Sequence, residues 1–197
     1  MNLRLLLLSE CNRTCKGCCN KDFDLESLPV CNSFTGYEMV ILTGGEPLLK
    51  PWLIINTAVA VRAENPTAKI VLYTARSVDP ALFVSLLENH LDGITLTLHT
   101  RKDVASFITL NNLIKSMPSL AGKSLRLNVF RGINLGDTDL SQWKVKNEIQ
   151  WIKECPLPSD EVFMRRYSSI QNVPAKLVAA PVRKVFQIIP DKALQAA

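Results

Sequence analysis

The sequence predicts an α/β fold: a partial (β/α)6, TIM-like barrel of parallel strands whose first crossover is shortened. Three observations lead there. Short apolar runs suited to strands buried on both faces alternate with stretches of helical periodicity. The chain has 197 residues and 47% hydrophobic content, enough for one domain with a sizeable core. Cysteines, glycines and polar side chains gather where the strands should end, the side on which parallel sheets collect ligands.

Taken in order, residues 3–8 read as a buried strand with only Arg4 polar. A cysteine-rich loop follows. Residues 20–37 carry Pro29, Asn32, Ser33 and Gly36 and read as an irregular excursion, with a short helical turn around Asp24 to Leu28. Met39 to Leu42 is a second strand, ending in Thr43-Gly44-Gly45-Glu46-Pro47. Residues 51–64 are helical, with Pro51 in the first turn. Lys69 to Thr74 is a third strand, and Asp79-Pro80 opens a helix carrying Leu82, Phe83, Leu86 and Leu87 on one face. Gly93 to Leu98 is a fourth strand. Asp103 to Met117 is a helix with Phe107, Leu110, Ile114 and Met117 as its stripe, and Leu125 to Phe130 is a fifth strand. Asp139 to Glu154 is expected to be a helix facing inward through Val145, Ile149 and Ile152, and Glu161 to Arg165 a sixth strand. Residues 1–166 thus form the core domain, and 167–197 a C-terminal extension packing on it, with Val182 to Ile189 as an edge strand or cover. Alternation of this kind implies right-handed crossovers between parallel strands.

Charge narrows the function classes only a little. There are 23 basic and 18 acidic residues, a net charge of +5, which permits an anionic substrate or partner without demanding one. The basic residues are scattered, with small groups at Arg165-Arg166 and Arg183-Lys184, so nucleic acid is not an expected partner. No apolar segment reaches the roughly 20 residues needed to span a bilayer. The leucine run meets Glu10 and the cysteines at once, which suits a strand better than a signal peptide. A cytoplasmic location is expected.

Six cysteines are present: Cys11, Cys15, Cys18, Cys19, Cys31 and Cys155. Without a secretory signal they are expected to be reduced. Four crowd into positions 11–19, which points to metal or cluster chemistry. Thiolates favour zinc and iron–sulfur clusters. Zinc wants four protein ligands, and Cys19 is poorly placed beside Cys18, so Cys31 or Cys155 would have to complete such a site. A [4Fe–4S] cube can be held by three thiolates with its fourth iron open. On the residues alone, both readings stand.

Cys11-x3-Cys15-x2-Cys18 at the end of a first strand resembles the cluster motif of the radical S-adenosylmethionine superfamily. Gly44-Gly45-Glu46-Pro47 after the second strand is similar to that family's second motif. The resemblance extends over roughly residues 3–166. It implies that Cys11, Cys15 and Cys18 ligate a [4Fe–4S] cluster and that S-adenosyl-L-methionine binds its fourth iron. It also implies that Gly44, Gly45 and Glu46 meet the cofactor's methionine portion, mainly through backbone. Thr74 and Tyr73 at the third strand end, Thr97 and His99 at the fourth, and Asn128 or Arg126 on the fifth are the implied further contacts. No side chain is assigned as a catalytic acid or base.

Two departures stand out. The residue before the third cysteine is Gly17, and the one after it is Cys19, where relatives commonly carry aromatics; the adenine would need other cover, with Phe163 and Met164 as candidates. The stretch between Cys18 and Gly44 is short and lacks a full first crossover helix. The implied activity is reductive cleavage of S-adenosylmethionine to a 5′-deoxyadenosyl radical that abstracts hydrogen from a substrate. Flavodoxin or ferredoxin would serve as electron donor. The substrate is expected to be a glycyl-radical protein or, alternatively, a small molecule of nucleoside or deazapurine type. A non-catalytic, zinc-stabilised α/β binding protein is the rival from a different class.

Overall fold

A computed structural model describes residues 1–166, which form one compact unit. The expected extension 167–197, with its strand Val182 to Ile189, lies outside the described residues. Seven strands form one sheet: β1 (Asn2–Leu6), β2 (Met39–Thr43), β3 (Lys69–Thr74), β4 (Gly93–Leu98), β5 (Ser124–Phe130), β6 (Lys144–Ile149) and β7 (Glu161–Arg165). Their order is β6-β5-β4-β3-β2-β1-β7, and every pairing is parallel. The helices are α1 (Pro51–Glu64), α2 (Pro80–Asn89) and α3 (Asp103–Lys115).

The first two helices start for local reasons. Pro51 and Pro80 occupy first-turn positions where a missing N–H costs nothing. The Asp79 carboxylate accepts from the Leu82 amide at 3.0 Å, satisfying one of the orphan donors of α2. Ile54, Ala58 and Val61 of α1, Phe83, Leu86 and Leu87 of α2, and Phe107, Leu110 and Ile114 of α3 join one core with Leu3, Leu5, Val40, Leu42, Ile70, Leu72, Ile94, Leu96, Leu125 and Leu127. Each such side chain contributes about 1.5–3 kcal/mol on burial. All three helices therefore cover the same face of the sheet, as right-handed crossovers require when β1 to β5 advance in one direction. On the opposite face Leu6, Ile41, Val71 and Phe163 are buried without belonging to that core.

The segment after β5 corrects the sequence reading. No helix forms over Asp139 to Glu154; turns lead to Trp143, and Lys144–Ile149 pairs with β5 as an edge strand. Val145 and Ile149 fit a helical spacing, but Lys-Val-Lys also alternates. Pairing with β5 satisfies the backbone while Val145 packs on the core. The Trp143 indole donates to Asn111 Oδ1 at 2.8 Å and packs edge-on against Phe107, covering α3 where a helix was expected. Register slips between Asn128 and Phe130, beside Glu148 at φ +56°.

Glu161–Arg165 is a strand as expected, but it does not follow the fifth strand in space. It pairs with β1 on the side away from β2. Between β1 and β2 the described chain holds a 3₁₀ turn (Cys19–Asp22), an Asp24-anchored turn, and a bridge from Val30 to Arg165, with no crossover helix.

Candidate active site at the strand ends

The carboxyl ends of β1 to β6 all open on the same rim. The cysteine loop follows β1 and is fastened to its neighbours at four points. Gly45 N–H donates to Leu8 O at 2.8 Å and Glu46 N–H to Glu10 O at 2.9 Å. Asn20 Nδ2 donates to Gly44 O at 2.8 Å. Arg13 donates twice to Asp103, at 3.1 and 2.7 Å, and once to Ala75 O at 2.6 Å.

The two glycines are explained by this fastening. A Cβ on Gly44 would stand 2.4 Å from Leu8 O, at a φ of +154° that side chains rarely adopt. On Gly45 it would stand 1.9 Å from Glu10 O. The close approach is therefore to the backbone leading into Cys11, and it sets the cysteine loop against the end of β2. Glu46 is buried and spent locally. Its carboxylate accepts from the Leu48 amide at 3.1 Å, the Thr74 hydroxyl at 2.6 Å and the Ala75 amide at 3.0 Å. Thr74 in turn accepts from the Arg76 amide, so its hydroxyl braces the end of β3. With Gly44 O, the Gly45 and Glu46 N–H groups and Glu46 O also engaged, the Gly45 carbonyl is the group of this turn left to meet a ligand among the described residues.

Four of the six cysteines are free thiols: Cys11, exposed; Cys15 and Cys18, half-buried; and Cys31, buried. Burial pushes the Cys15 thiol up, and the neighbouring Cys18 and Cys11 push it further, against Arg13 and Lys21. Three sulfurs thus stand in one electrostatic neighbourhood, although among the described residues no three ligand side chains are gathered as around a bound metal ion. Cys31 lies in the helix-side core and donates to Ser33 O. Cys19 and Cys155 form a disulfide across a separation of 136 residues, which corrects the expectation that all six are reduced and removes Cys155 as a zinc ligand.

His99 and Asn128 are brought to the same rim. Asn128 Nδ2 donates to Thr97 Oγ1 at 3.4 Å, so these two form one polar pair on the helix-free face. The His99 ring lies 4.9 Å from Phe130 and 5.0 Å from Trp151, and its Nδ1 is 3.7 Å from Cys15 Sγ. Burial lowers the imidazole pKa to about 4, and the Arg13 charge assists, with Asp103 opposing. An imidazole made less basic beside a thiol made less acidic is the reverse of an activated cysteine nucleophile, which needs a thiolate. Proximity here positions the two groups without creating an ion pair.

Several contributors escaped the sequence reading. Trp151, which falls within the expected Asp139 to Glu154 helix, sits instead on the segment after β6, beside His99 and Phe130, and a Cβ on Gly17 would lie 2.9 Å from its ring. Asn20 and Arg13 were passed over because nothing in their spacing separates them from ordinary loop residues. The expected adenine cover is not at the rim. Phe163 is buried on β7, edge-on to Phe23 at 5.1 Å, and Met164 faces Tyr37. Clefts of about 400 and 330 Å³ flank Trp151, one lined by Lys16, Gly17, Cys18 and Lys21, the other by His99, Phe130 and Gln150.

No protein-family model matches the chain, and no curated protein matches it.

Proposed function

We propose that this protein is a radical S-adenosylmethionine enzyme on a partial barrel, with Cys11, Cys15 and Cys18 holding a [4Fe–4S] cluster. The observation that carries it is the joining of the three-thiol loop to Gly44-Gly45 at the carboxyl ends of β1 and β2. The donor set fits: three free thiols of one loop suit a cluster with an open iron, and neither Cys31 nor Cys155 stands beside them as a fourth thiolate for zinc. One helix-covered face and sequential strands from β1 to β6 support a curled sheet, with residues 150–160 crossing from one edge to the other.

When bound, the cluster and S-adenosylmethionine supply a carbon-centred radical for hydrogen abstraction, and the protein contributes placement. Arg13 and Asn20 hold the cysteine loop at the rim. Glu46 fixes the ends of β2 and β3 so that the Gly45 carbonyl is presented to the methionine portion. Thr97 and Asn128 offer polar contacts to the ribose or carboxylate. Trp151 and Phe130 supply the aromatic surface that Gly17 and Cys19 do not, and they exclude water there. A one-electron donor protein such as flavodoxin or ferredoxin completes the system.

Anaerobic reconstitution with iron and sulfide tests this. The expected result is a brown protein whose iron is lost in Cys15→Ala and which cleaves S-adenosylmethionine on reduction. A colourless protein that takes up zinc and no iron would sink the proposal.

A further inference from the structure

Strand register places Tyr73, Thr95, Arg126 and Lys144 in one row: Tyr73 pairs with Thr95, Thr95 with Arg126, and Arg126 with Lys144. Paired residues of parallel strands share a face, about 4.8 Å apart. Ile94 and Leu96 lie in the helix-side core, as do Leu125 and Leu127, so the row lies on the opposite face. Thr95 is only 5% exposed, and its hydroxyl has no hydrogen-bond partner. Buried hydroxyls are normally satisfied, so this one keeps an unmet hydrogen-bonding capacity on the row. Arg126 and Lys144 are exposed, as is Lys146 two residues further along β6, and among the described residues none of the three has an ion-pair partner. On the paired strands the acid that shares this face, Glu161, is already engaged with Arg4 at 2.7 Å, and Glu148, at the register slip of β6, pairs with Arg131 at 3.2 Å.

We infer that this row is a receptor for the phosphate group of a small-molecule substrate. A guanidinium paired in register with the unpartnered hydroxyl, with two ammonium groups on the next strand, suits a doubly charged oxyanion, whereas a carboxylate would be matched by Arg126 alone. The row lies one layer below Thr97 and Asn128, so a molecule anchored there extends toward the rim and the cysteine loop. That last step rests on the proposed radical chemistry; the binding does not.

The test is calorimetric titration of the full chain, without cluster, with inorganic phosphate and with acetate at matched ionic strength. Saturable phosphate binding is expected, with acetate at least about tenfold weaker. Arg126→Ala and Thr95→Val should each weaken phosphate binding, the former by about tenfold or more. Arg126→Lys should recover part of the loss, and Lys102→Ala, on the start of α3, should change nothing. Unfolding midpoints confirm that each variant is folded; the near-isosteric Thr95→Val keeps the test alive if Arg126→Ala is not. Absence of saturable binding, equal affinity for acetate, or indifference to both Arg126→Ala and Thr95→Val would overturn the site. A chain that takes iron and cleaves S-adenosylmethionine yet ignores phosphate loses only this inference. A chain that binds phosphate through Arg126 but takes only zinc loses only the radical reading.

Discussion

Arg13 and Asp103, 90 residues apart, form a two-pronged ion pair that fastens the cysteine loop to the start of α3. The same carboxylate accepts from the His99 and Thr100 amides at 2.9 Å each, so one side chain sets both the loop and the end of β4. The guanidinium reaches the end of β3 as well, through Ala75 O.

Removing either partner should be costly, because the other is left partly buried and unpaired. Arg13→Ala and Asp103→Ala should each lose about 3 kcal/mol of stability in urea unfolding. The double variant should lose less than the sum of the two. Strict additivity would show that the pair is not coupled.

Asp103 also carries a pH signature. Burial raises its pKa, but the hydrogen bonds from Arg13 and the Thr100 amide and the Arg13 charge outweigh that and hold it below the ordinary aspartate value. The unfolded chain binds this proton first as pH falls. Its stabilisation is therefore complete above the ordinary value and is lost as pH drops through the lowered one. Urea midpoints measured from neutral to acid pH should fall more steeply for the natural chain than for Asp103→Asn.

Gly45→Ala should act on the cysteine loop before it acts on any ligand. Its new Cβ meets Glu10 O, which is backbone and cannot swing aside. A loss of about 2–4 kcal/mol is expected, together with poorer iron retention after reconstitution. Full retention of both would mean that the loop has freedom the structure does not show.

Reducing the Cys19–Cys155 disulfide should cost about 5 kcal/mol on the chain-entropy account, because it closes a very long loop. Cys155→Ser should match the reduced protein in urea midpoint. Hydrogen exchange should rise over residues 150–156, the segment that also holds Trp151 on Gly17. No difference between oxidised and reduced chains would mean that the bond does not hold this segment.

Strong local signals made most of the fold legible. The apolar runs of β1 to β5 are buried on at least one face and flanked by caps such as Asp79 and Pro80, so period and punctuation agree. The segment over 139–154 misled because Val145, Ile149 and Ile152 satisfy a helical spacing, while the decisive fact, pairing with β5, is long-range. The partner of β7 was hidden for the same reason. At the site, the cysteines and glycines could be found because their spacing is unusual. The reason for the glycines could not, since it lies in a backbone contact with residues 8–10. Arg13, Asn20 and Trp151 matter only through partners far along the chain.

The place of β7 has a bearing on biosynthesis. The strand that leads into the three thiols is made well before β7, one of its two neighbours, which follows more than a hundred residues later. Until residue 165 has been delivered, β1 has an unpaired edge, and the platform for the cysteine loop is half built. Both edges of β1 are therefore paired only when the chain has been made as far as β7.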